Sequence, residues 1–351
     1  MVSPFGIPVH CHLLIPNLFL SLPSGHNPFQ GLRLPALETL LARSRQQSVA
    51  TDGMEIWLCQ AFGMTKQRDW PIAPLTLAAD GGNPKQYYWL RADPVHLRVE
   101  RDQIILADSG TLSISQSEAD QLAEALNRHF ETDGLLFYAL RPDRWYLRLN
   151  SQPDIQTQPL PDVAGKNIND YLPAGTEGMH WHRLFNEIQM LFHDHPVNDA
   201  REMRGEMPIN SIWLWGGGTA PTLSQKPYSK IWADDALAQS LASASQTPVA
   251  ALPENGSAWL DQADNAEMGL VVLDSLRGAG QYGDVYGWQE GLQKLEQEWF
   301  VPLQGALSRG KLTALTMHAG SGSQIQSFTV TQGDLWKIWR RIKPLKSYLE
   351  Y

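Results

Sequence analysis

Two histidine pairs lie near the middle of this chain of 351 residues: His180-x-His182 and His193-x-His195, with Asp194 inside the second. Imidazoles and carboxylates are transition-metal ligands. The spacing argues against one shared ion. If Thr176–His195 is a single helix, His182 and His193 stand about 16 Å apart along its axis. Residues two apart face different sides of a helix. Caps, surface and core are the expected places for these four, and no metal site is expected. His318 is a different kind of candidate. It ends the apolar run Lys311–Met317, and in open α/β sheets ligands sit at the carboxyl ends of strands.

The same logic singles out Gly216, Gly217 and Gly218, which close the apolar run Ile209–Trp215. Glycine there lets the backbone approach a ligand or take a positive φ. The alternative is a tight strand exit with no ligand. A third stretch, Asp274-Ser275-x-Arg277 and then Gly278-x-Gly280-x-x-Gly283, follows the apolar run Gly269–Leu273. It matches a dinucleotide fingerprint, but lies late in the chain and lacks the acidic residue expected ~20 positions on. NAD is therefore not expected. A polar loop whose amides cradle an anion is the other reading. Ser211, Ser275 and Ser321 have no identifiable base, and no Gly-x-Ser-x-Gly elbow is present, so no hydrolase triad is expected.

Certain elements must hold these residues. His10–Ile15 reads as a buried strand ended by Pro16-Asn17, and Leu34–Ser44 as a helix with Leu37, Leu40 and Leu41 on one face. Glu55–Ala61 is a strand or short helix, and Gln67–Asp80 is broken by prolines. Leu97–Leu106 has a hairpin pattern around Arg101-Asp102-Gln103. Ser115-x-x-Glu118 has capping-box spacing and opens an amphipathic helix with Ala119, Leu122, Leu126 and Phe130 inward. Two further strands flank Arg141-Pro142-Asp143. Ser151–Gly175 reads as a connector. Beyond residue 176, helices alternate with strands: Ile209–Trp215, Pro248–Leu252, Gly269–Leu273, Lys311–Met317 and Phe328–Val330. Gly278–Gly283 reads as a loop, Trp288–Leu307 as a long helix and Leu335–Ile342 as another. Alternation of this kind predicts a parallel α/β core.

Composition narrows the function. The net charge of −9, without a basic tract, argues against nucleic acid or an anionic membrane as partner. Cys11 and Cys59 lie in apolar runs and read as buried thiols. The first residues are interrupted by Pro4, Pro8 and Pro16 and have no basic leader, so a core strand and a cytoplasmic protein are expected. Thirteen Trp are scattered rather than repeated, so no repeat array is implied.

Three runs resemble one family. They are Leu160-Pro161-Asp162-Val163-x-Gly165-Lys166 through Tyr171-Leu172-Pro173-x-Gly175, then His195-Pro196-Val197-Asn198, and Pro208-x-Asn210-Ser211-Ile212-Trp213-Leu214-Trp215-Gly216-x-Gly218. Together they are similar to the archaeal-type cofactor-independent phosphoglycerate mutases of the alkaline phosphatase superfamily. Ile114-Ser115-x-x-Glu118-Ala119 through Leu126-Asn127 resembles that family's inserted domain. Gly280-x-x-Gly283-Asp284 and Trp299-Phe300-x-Pro302-Leu303 extend the likeness, which covers residues 92–320. It implies an alkaline-phosphatase-like α/β core, with a mostly parallel sheet flanked by helices, plus an inserted small α+β cap domain. The corresponding division is 1–90 for the first part of the core, 91–152 for the cap, and 153–351 for connector and remaining core.

The resemblance also implies two divalent metals, Mn or Mg, held by Asp and His around a phosphoryl-carrying Ser. Such ions neutralise phosphate charge and activate the nucleophile. The chain departs at those positions. Its first strand ends in Pro16-Asn17-Leu18 where the family has Asp-Gly-Met. Met54 falls near the nucleophile, with Thr51 the nearest hydroxyl. Gln281 stands at a His and Arg277 at an Asp, and the last strand's Asp-His pair reads Met317-His318. Asp274 is the candidate shifted ligand, so Asp274 and His318 are the catalytic candidates. The expectation is therefore a phosphoglycerate-mutase-like protein that has lost its dinuclear metal site, needs no cofactor, and binds a small anionic ligand or a protein partner. In this the chain resembles a divergent bacterial group of mutase-like proteins described as regulatory more than it resembles active mutases. Arg277, His318 and Gly216–Gly218 would line its cleft, with Arg277 replacing a metal's charge as a phosphate clamp. The alternative is an active metal-dependent mutase or phosphatase using Mn or Mg held by Asp274, Asp284, His318 and the histidine pairs. A third reading is an interaction protein with Trp anchors.

Overall fold

A computed structural model describes residues 9–20, 28–49, 51, 53–263, 267–321 and 324–349. In chain order the strands among them are β1 (Val9–Ile15), β2 (Arg45–Val49), β3 (Tyr88–Glu100), β4 (Gln103–Ala107), β5 (Leu136–Arg141) and β6 (Arg144–Leu149). They continue with β7 (Ser211–Gly218), β8 (Lys230–Trp232), β9 (Val249–Ala250), β10 (Met268–Val272), β11 (Leu312–Ser321) and β12 (Gln324–Thr331). The chain divides into two compact units, Met1–Phe62 with Ser224–Tyr351, and Gly63–Leu223.

The first unit carries a seven-stranded sheet in the order β2-β12-β11-β1-β10-β8-β9. β1 pairs in parallel with both β10 and β11, and β10 in parallel with β8. Only the β12 and β2 pairings are antiparallel. The sheet is therefore mostly parallel, as expected for an alkaline-phosphatase-like core. Strand alternation sorts β1 into two faces. Cys11, Leu13 and Ile15 join the apolar core with Leu37, Leu40 and Leu41 of helix Pro35–Arg43, and with Trp288, Trp299 and Phe300. His10 and His12 fall on the other face.

Helix Pro35–Arg43 begins without a side-chain cap of its own, because Leu34 occupies the cap position. The cap comes from far away. Glu296 is fully buried, and its carboxylate accepts from the Ala36 and Leu37 amides at 2.6 and 3.0 Å. That satisfies two orphan donors and places negative charge at the positive helix end. Glu296 opens a π-helical turn, Glu296–Phe300, between helices Val285–Leu295 and Val301–Ser308.

The second unit is built on β3, whose neighbours are β4, β6 and β7, all antiparallel. Helices Gln116–His129 and Gly178–His193 supply its core, with Leu122, Leu126, Trp181, Leu184 and Ile188 buried against Leu90, Leu147 and Leu214. The capping box of Ser115 and Glu118 is present. The buried Asp93 carboxylate gathers the unit's centre. It accepts from Arg91 at 2.8 Å, from the Trp215 indole at 2.7 Å and from the Trp145 amide at 3.2 Å.

Several expectations need correction. The second unit spans 63–223 rather than 91–152, because β7 pairs with β3 and belongs to this unit's antiparallel sheet, not to the parallel core. Ser151–Gly175 is no free connector, since Ile155, Leu160, Val163 and Ile168 are buried. Ile72–Ala79 is a helix despite its prolines, which occupy its N-cap and first turn, where a missing amide costs nothing. Gly278–Gly283 is mostly helical, Arg277–Tyr282. Leu335–Ile342 is not a helix, as helix Gln332–Leu335 stops after one turn. No helix among the described residues is long and apolar enough to cross a membrane.

Replacing Glu296 with Leu should expose the uncapped amides of helix Pro35–Arg43 to an apolar interior. A loss of about 2 kcal/mol is expected from two orphaned donors. Urea unfolding measures it, and unchanged stability would show that the cap contributes nothing.

Candidate functional site

In the first unit, β1 runs into Asn17, which takes a left-handed φ of 57°. Its carbonyl accepts from the Trp288 indole at 2.8 Å. Its side chain lies so close to Gly280 that a Cβ there would stand 2.6 Å from Asn17 Nδ2. The glycine of the presumed anion loop is thus needed for packing a short helix against the end of β1.

Beyond β10, Arg277 opens that short helix, its amide donating to the Asp274 carbonyl at 2.9 Å. The guanidinium is 18% exposed and turns inward. Nη2 pairs with Glu55 on helix Gly53–Ala61, and Nη1 lies 3.6 Å from Asp235 and 3.9 Å from Met54 Sδ. Asp235 does two jobs. One oxygen accepts from the Ala238 amide at 2.8 Å and caps helix Ala236–Ala244, while the other faces Arg277. Burial alone would lower the Arg277 pKa, but Glu55, Asp235 and then Asp274 more than offset this and raise it. Burial raises the Asp235 carboxyl, and Arg277 opposes that rise. The result is a fixed cation between buried anions. Arg277 was expected as an open phosphate clamp, but both of its terminal nitrogens are turned to carboxylates instead.

His318 lies within β11 and is 7% exposed. It shares a hydrogen bond with His12 (Nε2 to Nδ1, 2.9 Å) and another with the Ser327 hydroxyl at 2.8 Å. The Trp57 ring, from the helix that carries Glu55, sits 4.4 Å from its ring centroid. His10 packs beside His12 at 4.2 Å and bonds Thr316, which bonds Thr329. Burial first, and the neighbouring imidazoles second, push His12 and His318 down to about 3. Both are neutral at physiological pH. Sequence reasoning missed His10 and His12, although an i,i+2 pair on a strand shares one face. Just before helix Gly53–Ala61, Thr51 is buried and its hydroxyl has no partner among the described residues.

The other candidates are used structurally. Asp284 caps helix Val285–Leu295, accepting from the Gly287 amide at 3.0 Å. His182 bonds the Pro173 carbonyl, and His195 accepts from the Val197 amide as an N-cap. Gly216–Gly218 belong to the second unit and are buried in β7 rather than forming a ligand loop. A Cβ on Gly217 would stand 2.5 Å from the Tyr88 hydroxyl, and one on Gly218 2.5 Å from Pro71. Close packing accounts for them. Two motif asparagines are corner pieces. Asn198 bonds the Phe192 and Ile209 carbonyls and accepts from the Ile209 amide, and Asn210 exchanges two bonds with the Leu97 backbone.

A metal beside Glu55 and Asp235 would meet the Arg277 guanidinium at like-charge distance. Among the described residues no three His, Cys, Asp or Glu are placed to hold one.

The sequence model of the 2,3-bisphosphoglycerate-independent phosphoglycerate mutases matches residues 83–198. The probable mutase of that name from Geobacter sulfurreducens is 27% identical over 214 residues, covering 57% of this chain and 52% of the relative. That from Methanosarcina barkeri is 35% identical over 121 residues, 34% of this chain and 30% of the relative. Over the matched segment the chain is similar to the cofactor-independent phosphoglycerate mutases. It spans about half the length of the curated relatives it matches. The matched segment, 83–198, lies wholly inside the second unit, whereas Arg277, His12 and His318 lie in the first. Among solved structures, the PH0037 protein from Pyrococcus horikoshii superposes with a TM-score of 0.52 at 13% identity, over 93% of this chain and 88% of that one. That likeness shows the α/β fold alone.

Two outcomes follow from this geometry. Arg277→Met leaves Glu55 and Asp235 buried without a counter-charge and should cost about 3–5 kcal/mol in urea unfolding. A cost below 1 kcal/mol would mean that the carboxylates are solvated without it. The histidines predict an acid-side slope. The unfolded chain protonates near pH 6.5, while folded His12 and His318 resist until about 3. Stability is therefore full above pH 6.5 and falls as pH drops toward 3, by roughly 1 kcal/mol per pH unit for each imidazole. Wild type and a His12→Gln/His318→Gln variant, compared by urea unfolding at pH 7 and pH 4, should differ in slope; parallel profiles would refute the shifted imidazoles.

Proposed function

We propose that this protein is a phosphoglycerate-mutase-like binding or regulatory protein that has lost the dinuclear metal site. One observation carries the reading: the Arg277 guanidinium sits among Glu55, Asp235 and Asp274, so a permanent cation takes the place of a removable one. A guanidinium can balance carboxylates but has no coordination position at which to bind and activate a nucleophile or exchange ligands as a metal does. Met54 beside it offers no nucleophile. The ligand on this reading is a small anion or a protein partner, and the chain works without Mn or Mg.

The names of the relatives favour a second reading, an active metal-dependent mutase with relocated ligands. Its candidate ligands are Asp274, Asp284, His318 and the histidines of the His180–His195 cluster. Against it, Asp284 is committed to a helix cap and His318 to His12 and Ser327.

Elemental analysis of the purified protein, together with a 3-phosphoglycerate to 2-phosphoglycerate assay with added Mn²⁺, separates the two. The proposal expects no stoichiometric metal, no turnover, and no rise in Tm with Mn²⁺. Two bound metals with turnover would overturn it.

A further inference from the structure

Residues 335–349 read LWKIWRRIKPLKSYL. They hold five of the chain's 28 Lys and Arg and none of its 37 Asp and Glu. Apolar and basic residues alternate, as on an amphipathic helix, yet the structure shows none. Trp336, Ile338, Trp339 and Ile342 project outward, 77, 78, 73 and 51% exposed. Scattered exposed apolar residues are ordinary, but two Trp and two Ile within seven residues are not.

The segment is held in this form by a reciprocal arginine clamp. Arg43 is buried, and its Nη1 donates to the carbonyls of Lys337 and Arg340, with Nη2 3.5 Å from that of Ile338. Arg340 returns the arrangement, donating to the Arg43 and Ser44 carbonyls at 3.1 and 2.6 Å. The Lys337 carbonyl also accepts from the Arg340 amide at 3.0 Å, an i→i+3 bond, and Pro344 has no amide to offer the Arg340 carbonyl, so no α-helix continues here. With the backbone held inward, the indoles and isoleucines are left facing out. Alongside them, Arg340, Arg341 and Lys343 line a concavity of about 330 Å³ with Ser44, Gln46 and Tyr348. This is a hollow lined by cations and hydroxyls, with room for a phosphate group.

We propose that this face docks on an anionic phospholipid bilayer. Trp336, Trp339, Ile338 and Ile342 enter the headgroup layer, and Arg341 and Lys343 hold a lipid phosphate in the adjoining hollow. Charge complementarity and side-chain type favour a lipid surface over an acidic protein. Indoles partition to the membrane–water interface, and Lys and Arg interleaved with them reach up to phosphates as the rings go down. A fluid surface accepts such projecting side chains without a matching socket. The overall acidic charge does not oppose this, because Debye screening confines the relevant field to about 8–10 Å and the local charge is positive. The clamp also fixes the segment beforehand, so little ordering is lost on docking.

The test is flotation of the full chain with vesicles of phosphatidylcholine alone and of phosphatidylcholine mixed with phosphatidylglycerol. Expected is binding to the mixed vesicles only, with a blue shift in Trp emission, weakened by salt. Each basic residue near such a surface is worth about fivefold in partitioning, so Arg341→Glu/Lys343→Glu should lose more than tenfold. Trp336→Ser/Trp339→Ser should lose binding comparably, with circular dichroism confirming that both variants fold. Absence of binding to the mixed vesicles overturns the proposal. So does equal binding to both vesicle types, or undiminished binding by both variants. Binding of polyglutamate through the same residues, without vesicle binding, would assign the face to an acidic protein instead and equally overturn it.

Discussion

The first unit depends on one buried charge arrangement, the Arg277 guanidinium between Glu55 and Asp235. Each of the three comes from a different stretch of chain: the turn after β10, the first turn of helix Gly53–Ala61, and the cap of helix Ala236–Ala244. Desolvating these groups is costly, and only their mutual attraction offsets it. The arrangement therefore holds all three segments or none. It also positions what lies further along helix Gly53–Ala61. Trp57, one half-turn beyond Glu55, covers His318 and helps keep the imidazole pair dry and neutral. The guanidinium and imidazole clusters are in this sense one construction.

Buried arginines do similar work elsewhere. Arg201, 1% exposed, donates to the Met207 and Ser113 carbonyls and pairs with Glu118. Arg91 bridges to Asp93 beneath Trp215. Arg43 gathers carbonyls of the 337–340 turn. The planar fork offers several donors in fixed directions, so one side chain can satisfy loop carbonyls that have no ladder partner. Long loops can then be buried without orphaned polar groups. Where the arginine holds only backbone, as at Arg43, the loop's own side chains are released outward.

The residues that carry the family resemblance have structural tasks. Asn198 and Asn210 close corners of the second unit, and the glycines of β7 admit Tyr88 and Pro71. The segment matched by the family's sequence model lies in that same unit. Shared packing rules preserve a fold without preserving chemistry, which resides in particular side chains set upon it.

Local sequence determined much of the element inventory. The period-2 run of β1, the capping box at Ser115, the hairpin around Arg101-Asp102 and the amphipathic helix at 178–193 all follow from short-range rules, and the structure has them. The mostly parallel sheet of the first unit was legible from alternating helices and strands. What tertiary structure decided is which elements share a sheet and what each polar side chain faces. β7 reads as a core strand by composition, but pairs with β3 because strand pairing is a non-local choice between apolar runs of equal suitability. Arg277 reads as an open clamp until Glu55, 222 residues away, is brought against it. His10 and His12 become a site only when β11 delivers His318 beside them. Residues 335–342 carry a helical pattern, yet they form turns whose carbonyls bond Arg43, remote in sequence. In each case the deciding group lies more than a hundred residues off, and only the folded chain sets the distance at which charge and hydrogen bonding act.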